Sequence, residues 1–139
     1  MIHFVLCPPH IRTGGPEALC QLANGLSFIG LEAYLVYWPI TPGAEPDPDY
    51  RYLTHLRVLN ERPWDSKQAR IIFPEIWPDV AEQFPIADKW MWWLGSGGGN
   101  PVIKHHLAQC HYTKEILATR GIPNVPILSD YISPAHFGW

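Results

Sequence analysis

The stretch "RTGGPEALCQLANGLSFIG", residues 12–30, decides the fold, because a glycine pair and a proline precede an apolar-periodic run. Gly14 and Gly15 allow positive φ angles and let another molecule approach the backbone closely. Pro16 suits the first helical position, Glu17 suits the dipole of a first turn, and Gly30 is typical of a left-handed helix end. One helical stripe holds the apolar side chains Ala18, Leu19, Leu22, Ala23, Leu26 and Ile29. The stretch therefore predicts a glycine loop that opens an amphipathic helix.

Short apolar runs lie on both sides of this helix. "MIHFVLCPP" precedes it and "EAYLVYWP" follows it, and both predict buried strands. A strand, loop, helix and strand in this order form a βαβ unit with parallel strands and a right-handed crossover. Ligands of such folds bind beyond the C-terminal ends of the strands. The glycine loop and the free N–H groups of the helix are thus suited to an anion or a sugar hydroxyl; the alternative is a tight turn without a ligand.

The rest of the chain alternates strand and helix patterns. Strands are predicted in "ARIIFPE", "DKWMWWLG", "HHLAQCH" and "NVPILSDYI", with a further strand near Leu56 to Leu59. Helices are predicted in "WPDVAEQF" and in "TKEILATRG", the latter with Thr113 as N-cap and Gly121 as C-cap. "PITPGAEPDPDY" predicts an irregular loop. The alternation indicates one α/β domain over residues 1–139 with a mostly parallel sheet.

Composition excludes several function classes. A chain of 139 residues can bury the core of one domain. The net charge of −3 and the lack of a basic patch argue against nucleic-acid binding. No apolar run is long enough to span a membrane, and the first residues lack the charged start of a signal peptide. The three cysteines form no even disulfide framework, which favours a reducing cytosol.

A second glycine-rich loop, "SGGGNP", follows the predicted strand "DKWMWWLG". Because both glycine loops follow strands, we expect them to open at one edge of the sheet and to line one crevice. The chain has no G-x-G-x-x-G pattern and no P-loop motif, so a dinucleotide or P-loop site is poorly supported. On a strand, Trp90 and Trp92 share one face and Trp93 takes the other. These rings suit stacking on sugars or, more simply, core packing of a central strand.

Polar residues after the strand runs are candidates for ligand contact. His10, Glu75 and Asp130 can each act as a base or bind a sugar hydroxyl, or can equally cap a helix or bond a loop. Trp93 and Ser96 lie nearest the expected crevice. No residue is assigned a catalytic role. The residues predicted to contact a substrate are His10, Gly14, Gly15, Pro16, Glu17, Trp93, Ser96, Gly97, Asn100 and Asp130.

Four potential metal ligands cluster late in the chain, namely His105, His106, Cys110 and His111. A metal needs lone pairs that converge on one point. The spacing of these four residues matches no zinc template. This pattern favours exposed histidines on a plain strand over a zinc site, and we expect neither a metal nor a cofactor.

Several motifs together resemble a known enzyme family. "GGPEALCQLANGLSFIGLEAYLVYW" is similar to the start of GT-B glycosyltransferases of the GT4 type (glycosyl transferase group 1). "IIFPEIWP" followed by "KWMWWLGSGGGN", and then "CHYTKEILATRGIPNVPILSDYI", resemble bacterial polysaccharide-type members of that group. The resemblance covers nearly the whole chain in order.

The resemblance implies a Rossmann-like three-layer domain, the N-terminal, acceptor-side half of a two-domain enzyme. Such an enzyme transfers a sugar from a nucleotide-sugar donor to a saccharide or lipid-linked acceptor, in the cytoplasm or at the inner face of the membrane. Gly14 and Gly15 match the family's glycine loop, which comes close to the donor. Residues 96–100 fall where a loop of the interdomain cleft would be. The donor-binding half has no counterpart here, so we expect the chain alone to be inactive.

Two other functions stay open at this stage. The same glycine loops suit a stand-alone module that binds a nucleotide, a sugar or a phosphate without catalysis. A structural or interaction domain that pairs with another subunit, or with a second copy as a homo-oligomer, would suit exposed tryptophans.

Overall fold

The computed structural model describes residues 1–10, 14–95 and 103–129. Within these ranges a five-stranded, all-parallel sheet is flanked by helices, which confirms the predicted α/β class and is consistent with a Rossmann-like fold. The strands are β1 (Ile2–Cys7), β2 (Ala33–Tyr37), β3 (Ala69–Pro74), β4 (Asp88–Trp93) and β5 (His105–Ala108). The helices are α1 (Gly14–Phe28), α2 (Val80–Gln83) and α3 (His111–Thr119), and a 3-10 turn spans Pro48–Tyr50.

The sheet has the strand order β2-β1-β3-β4-β5. Beyond β2, Val58 forms one parallel bridge to Leu35, and beyond β5, Ile127 forms one to Ala108. Numbered along the chain with these two bridges included, the order is 3-2-1-4-5-6-7, the doubly wound order of Rossmann folds. The direction of winding therefore reverses between β1 and β3.

The two outer segments are shorter than the sequence predicts. The strand expected near Leu56 to Leu59 consists of a single bridge, fixed by bonds from Leu35 N to Arg57 O (2.8 Å) and from Leu59 N to Leu35 O (2.9 Å). The described part of "NVPILSDYI" likewise forms one bridge, where Pro126 O accepts from Ala108 N at 2.9 Å. An edge segment pairs on one side only, and proline has no N–H group to extend a ladder.

Helix α1 forms as the apolar stripe predicts, with different ends. It begins at Gly14, two residues before the predicted start, and ends at Phe28. Gly30 has a φ of +93°, the left-handed conformation expected after a helix. Ile29 lies beyond the helix and is 68% exposed, so its assignment to the buried stripe is wrong. The remaining stripe residues are buried or half-buried.

Each face of the sheet carries its own apolar layer. α1 packs on one face, where Leu19 lies in the same cluster as Trp92. On the other face, Trp93 packs with Phe84, which follows α2, and with Leu117 of α3. This confirms that Trp92 and Trp93 point to opposite faces, as strand alternation requires. Full burial of such large side chains stabilises the fold by about 1.5–3 kcal/mol each. The two apolar layers therefore fix the helices against the sheet.

The starts of α2 and α3 differ from prediction. α2 has only four residues and begins after Pro78, at Val80. Thr113 is not the N-cap of α3, because the helix begins at His111 and the extended residue before it is Cys110. Thr113 is instead a buried helical residue whose Oγ1 lies 3.5 Å from Sγ of Cys110. Gly121 follows the helix with a φ of +83°, as expected for a residue that ends a helix.

Candidate ligand-binding site

The switch in winding direction marks the place at the C-terminal edge of the sheet where a ligand crevice is expected. The chain leaves β1 at Cys7 towards α1 and β2, and it leaves β3 at Pro74 towards α2 and β4. The two connections run to opposite faces of the sheet, so they leave a gap between the C-terminal ends of β1 and β3. Ligands of doubly wound folds bind at such a switch point. The two connections bring together the start of α1, the end of β3 and the end of β4.

The glycine pair forms the first two residues of α1 rather than a preceding loop. Both glycines therefore have helical backbone, and the positive φ angle allowed for them is not needed. A methyl group added at Gly15 would lie 3.9 Å from Cδ1 of Leu94, an ordinary contact, and one added at Gly14 would meet no described atom within 4 Å. Neither the backbone nor the packing of the described residues requires glycine at these two positions.

A buried carboxylate lies at the end of β3. Glu75 is 7% exposed, and its Oε2 accepts a hydrogen bond of 3.0 Å from the backbone N–H of Leu94. The hydrogen bonds found within the described part of the chain do not involve its Oε1, and this oxygen is open to solvent, since no fully buried side-chain oxygen there lacks a partner. A methyl group at Gly95 would lie 3.0 Å from Oε1 of Glu75, so a larger residue there would displace the carboxylate. The crevice thus holds one oriented oxygen of a carboxylate that can accept a bond from a ligand hydroxyl.

A pocket of about 450 Å³ adjoins the crevice on the β1–β2 side. His10 lies in its wall with a φ of +58°, and Pro16 of α1 forms another part of the wall. The 39–50 segment, predicted as an irregular loop, closes it from outside with residues between Gly43 and Pro48. This volume is within the range of small-molecule sites.

The pocket floor is polar but uncharged. Burial, followed by the nearby Glu17 carboxylate, raises the pKa of Tyr50 to about 12. Burial also raises the pKa of Tyr37. A hydrogen bond with Cys20, together with burial, raises the pKa of the Cys7 thiol. The thiol and both phenols therefore stay protonated near neutral pH, while the carboxylates of Glu45 and Asp47 also line the pocket. The pocket thus suits a hydroxyl-bearing ligand without negative charge.

The structure separates the sequence-predicted site residues into groups. Gly14 and Gly15 lie at the crevice, while His10 and Pro16 line the adjoining pocket. Glu17 is 9% exposed and its Oε1 accepts a 2.7 Å bond from the hydroxyl of Tyr52, so it links α1 to the following loop. Ser96, Gly97, Asn100 and Asp130 lie outside the described residues.

Trp93 belongs to the core rather than to the crevice wall. It is 1% exposed, and its Nε1 donates a 3.0 Å hydrogen bond to Nδ1 of His106. The other ring nitrogen of His106 bonds the backbone oxygen of Ile103. A ring with this burial presents no face to a ligand, which favours the core-packing interpretation of Trp93.

Sequence reasoning missed the aromatic and thiol floor of the pocket, formed by Cys7, Cys20, Tyr37 and Tyr50. Tyr37 and Cys7 are the last residues of neighbouring strands, β2 and β1, which was a usable signal. No local signal in the sequence predicted the place of Tyr50, because it depends on how the proline-rich segment 39–50 folds back against α1. Glu75 was recognised as a candidate, but only the register of β3 against β4 reveals its bond to Leu94.

The late histidines point apart in the described structure. Within the described ranges there is no group of three or more His, Cys, Asp or Glu side chains that could hold a metal ion. His106 is buried against Trp93, whereas His105 stacks on Trp90 with ring centroids 4.5 Å apart. The two rings therefore lie on different faces of β5.

Comparison with known proteins gives no relative. No protein-family model matches the chain, and neither the curated proteins nor the solved structures contain a match. Among the helices that the structure describes, none is both long and apolar enough to cross a membrane. A functional interpretation therefore rests on the geometry of the site and on the order of the sequence motifs.

Proposed function

We propose that this chain is the acceptor-side domain of a GT-B glycosyltransferase and that the crevice at its C-terminal edge is part of the transfer site. The donor would be a nucleotide-sugar and the acceptor a saccharide or a lipid-linked saccharide. The proposal rests on the ordered resemblance of the motifs and on one structural observation. That observation is that Gly15, at the start of α1, lies beside the side chain of Leu94, whose backbone N–H holds the buried carboxylate of Glu75.

The two sides of the crevice would take different groups. The first turn of an α-helix has N–H groups without partners inside the helix and a positive dipole end, so the start of α1 would suit a phosphate or an electron-rich sugar oxygen. Gly14 and Gly15 carry no side chains, so a ligand can approach that backbone. Glu75 Oε1 would accept a hydrogen bond from an acceptor hydroxyl, and a carboxylate in that position can also assist removal of its proton.

Two features support a role beyond folding. Neither Gly14 nor Gly15 needs to be glycine for packing or for a positive φ angle. The Glu75 carboxylate is buried with one hydrogen-bond donor, an arrangement that costs desolvation energy. A binding site explains both features, because glycine lets a ligand approach the backbone closely and a ligand hydroxyl can donate to the second carboxylate oxygen.

A binding experiment on the full chain tests this proposal. UDP-glucose, GDP-mannose and neutral disaccharides serve as probes in ligand-observed NMR and calorimetry. Gly15→Val should weaken binding at least tenfold, about 1.4 kcal/mol, because its methyl groups would occupy the crevice. Gly25→Val is the matched control, since it makes the same change in an open position of the same helix. Absence of binding by every probe, or an equal loss in both variants, would contradict the proposal.

A further inference from the structure

A second cleft lies at the opposite, N-terminal edge of the sheet. Its volume is about 740 Å³, which is also typical of small-molecule sites. Its walls are the end of α2, the segment Pro85–Lys89, the start of β5 with the two residues before it, and Lys67 before β3. Ala87 and Ile103 are almost fully buried, while Ile86 is 56% exposed at the rim. This cleft is separate from the crevice beside Glu75, because β3 and β4 run between the two edges.

The cleft carries positive charge on a chain whose net charge is −3. Lys67, Lys89 and Lys104 all line it, and its carboxylates are Glu82 and Asp88. Arg70 neutralises Asp88 through a 2.8 Å ion pair. The described structure gives Lys67 and Lys104 no carboxylate partner. Counting the three lysines against Glu82, the local charge is +2 with neutral histidine.

Lys89 holds its ammonium in a fixed position. Its Nζ donates to the backbone oxygens of Phe84 at 2.6 Å and of Ala87 at 2.8 Å. An ammonium has three N–H donors, so one remains for a ligand. An anchored cation loses little side-chain entropy on binding, which makes it a preorganised contact.

A rigid histidine forms one end of the cleft. The ring of His105 stacks on Trp90 at an interplanar angle of 11°, and its Nε2 lies 3.4 Å from Oδ1 of Asp88. Asp88 is itself held by Trp90 Nε1 at 2.9 Å and by Arg70, whose guanidinium lies 5.0 Å from the Trp90 ring centroid. These contacts leave Nδ1 of the half-exposed His105 as the ring atom available to a ligand.

We infer that this N-terminal-edge cleft binds a small organic phosphate monoester. A phosphate monoester carries about two negative charges at neutral pH, which matches the charge of the cleft. Lysine ammonium groups are common partners of phosphate oxygens. The apolar surface of Ile86, Ala87 and Ile103 suits the organic part of the ligand, and the volume suits a small molecule rather than a polymer. The inference is independent of the transferase proposal.

The test titrates phenyl phosphate into the full chain, with phenol and inorganic phosphate as partial probes. Binding is measured by calorimetry and by amide chemical shifts. Lys67→Gln and Lys104→Gln are exposed substitutions that leave the core unchanged. Each should weaken binding of phenyl phosphate by roughly three- to tenfold. Lys114→Gln in α3 removes the same charge elsewhere and should change the affinity by less than about twofold.

Phenyl phosphate should bind saturably, and the largest amide chemical-shift changes should occur near Lys89 and His105. Phenol and inorganic phosphate should each bind more weakly than phenyl phosphate. Three results would overturn it: no saturable binding, equal binding of phenol, or equal weakening by Lys114→Gln. A failure of the glycine-variant experiment at the other edge would leave these outcomes unchanged, so the two proposals fail separately.

Discussion

Replacing Glu75 with glutamine should abolish saccharide binding while it leaves the free energy of unfolding nearly unchanged. In Glu75→Gln the side-chain oxygen still accepts from the N–H of Leu94, the bond that measures 3.0 Å in the native chain. Replacing a charged acceptor by a neutral one weakens such a bond by about 1 kcal/mol. Removing the charge from a side chain that is 7% exposed recovers desolvation energy of similar size. We therefore expect the free energy of unfolding to change by less than about 1 kcal/mol.

Glu75→Ala removes the acceptor itself. The Leu94 N–H then lacks its partner, which costs about 1–3 kcal/mol, and the lost side chain leaves a cavity that adds to this cost. The total should be about 2–4 kcal/mol. Both variants should lose saccharide binding, because neither presents a carboxylate oxygen to the crevice.

Urea titrations measure the free energy of unfolding of each variant. The free energies can be compared directly if the slope of free energy against urea concentration is the same in all variants. Glu82→Gln is the matched control, since it neutralises an exposed carboxylate on α2 and should change neither quantity. The reasoning would be refuted if Glu75→Gln destabilised the chain as much as Glu75→Ala while saccharide binding stayed intact. The carboxylate would then serve the fold and not a ligand.

Three further predictions concern the fold that holds the site. His106→Phe leaves the buried Nε1 of Trp93 without its acceptor, so the free energy of unfolding measured in urea should fall by about 1–3 kcal/mol. A loss of less than about 0.5 kcal/mol, the size of an ordinary surface change, would contradict this bond. Burial lowers the pKa of His106, and also that of His3, below the usual 6.5, so protonation of these rings favours the unfolded chain. The free energy of unfolding should therefore be highest above pH 6.5 and should decline below it, and the decline should be smaller in His106→Phe. A free energy of unfolding that does not change with pH would exclude this role. Gly121→Ala should lower the stability of the chain by about 1 kcal/mol, because residue 121 has a φ of +83°. Gly25→Ala, at an open position inside α1, should raise the stability by about 0.5–1 kcal/mol. Thermal melts in which both variants shift in the same direction would show that the backbone assignment is wrong.

The sequence predicts the elements whose pattern is local. The apolar stripe between Ala18 and Leu26 predicts α1, and the uninterrupted apolar runs before and after it predict β1 and β2. Alternation along "DKWMWW" correctly assigns Trp92 and Trp93 to opposite faces. These predictions hold because burial of one face already fixes the residue period of a helix or a strand.

Features that depend on partners are harder to predict. Val58 and Ile127 have strand-like neighbours, but the length of an edge strand depends on the segment it meets, and each pairs through one bridge only. The start of α3 shows the same difficulty, because Thr113 is a good capping residue by type, yet the backbone turns at Cys110. Capping preferences of about 1 kcal/mol are easily outweighed by tertiary packing.

The place of the candidate site follows from local sequence patterns, but its composition does not. The strand order reverses direction beside the glycine pair, at the C-terminal edge where that pair leads us to expect a crevice. The floor of the adjoining pocket needs the return of the proline-rich loop over α1, which carries Tyr50 to Cys20. The orientation of Glu75 needs the parallel register of β3 and β4. Both are long-range contacts that no local pattern encodes.

Amide chemical-shift mapping with a neutral disaccharide and a nucleotide-sugar tests the central claim most directly. The account predicts that the largest shifts occur at Gly14, Gly15, Glu75 and Gly95, the residues around the switch point, and that Gly15→Val abolishes them. Shifts confined to the opposite edge around His105, or no saturable shifts with either probe, would contradict a sugar-binding crevice at the C-terminal edge of the sheet.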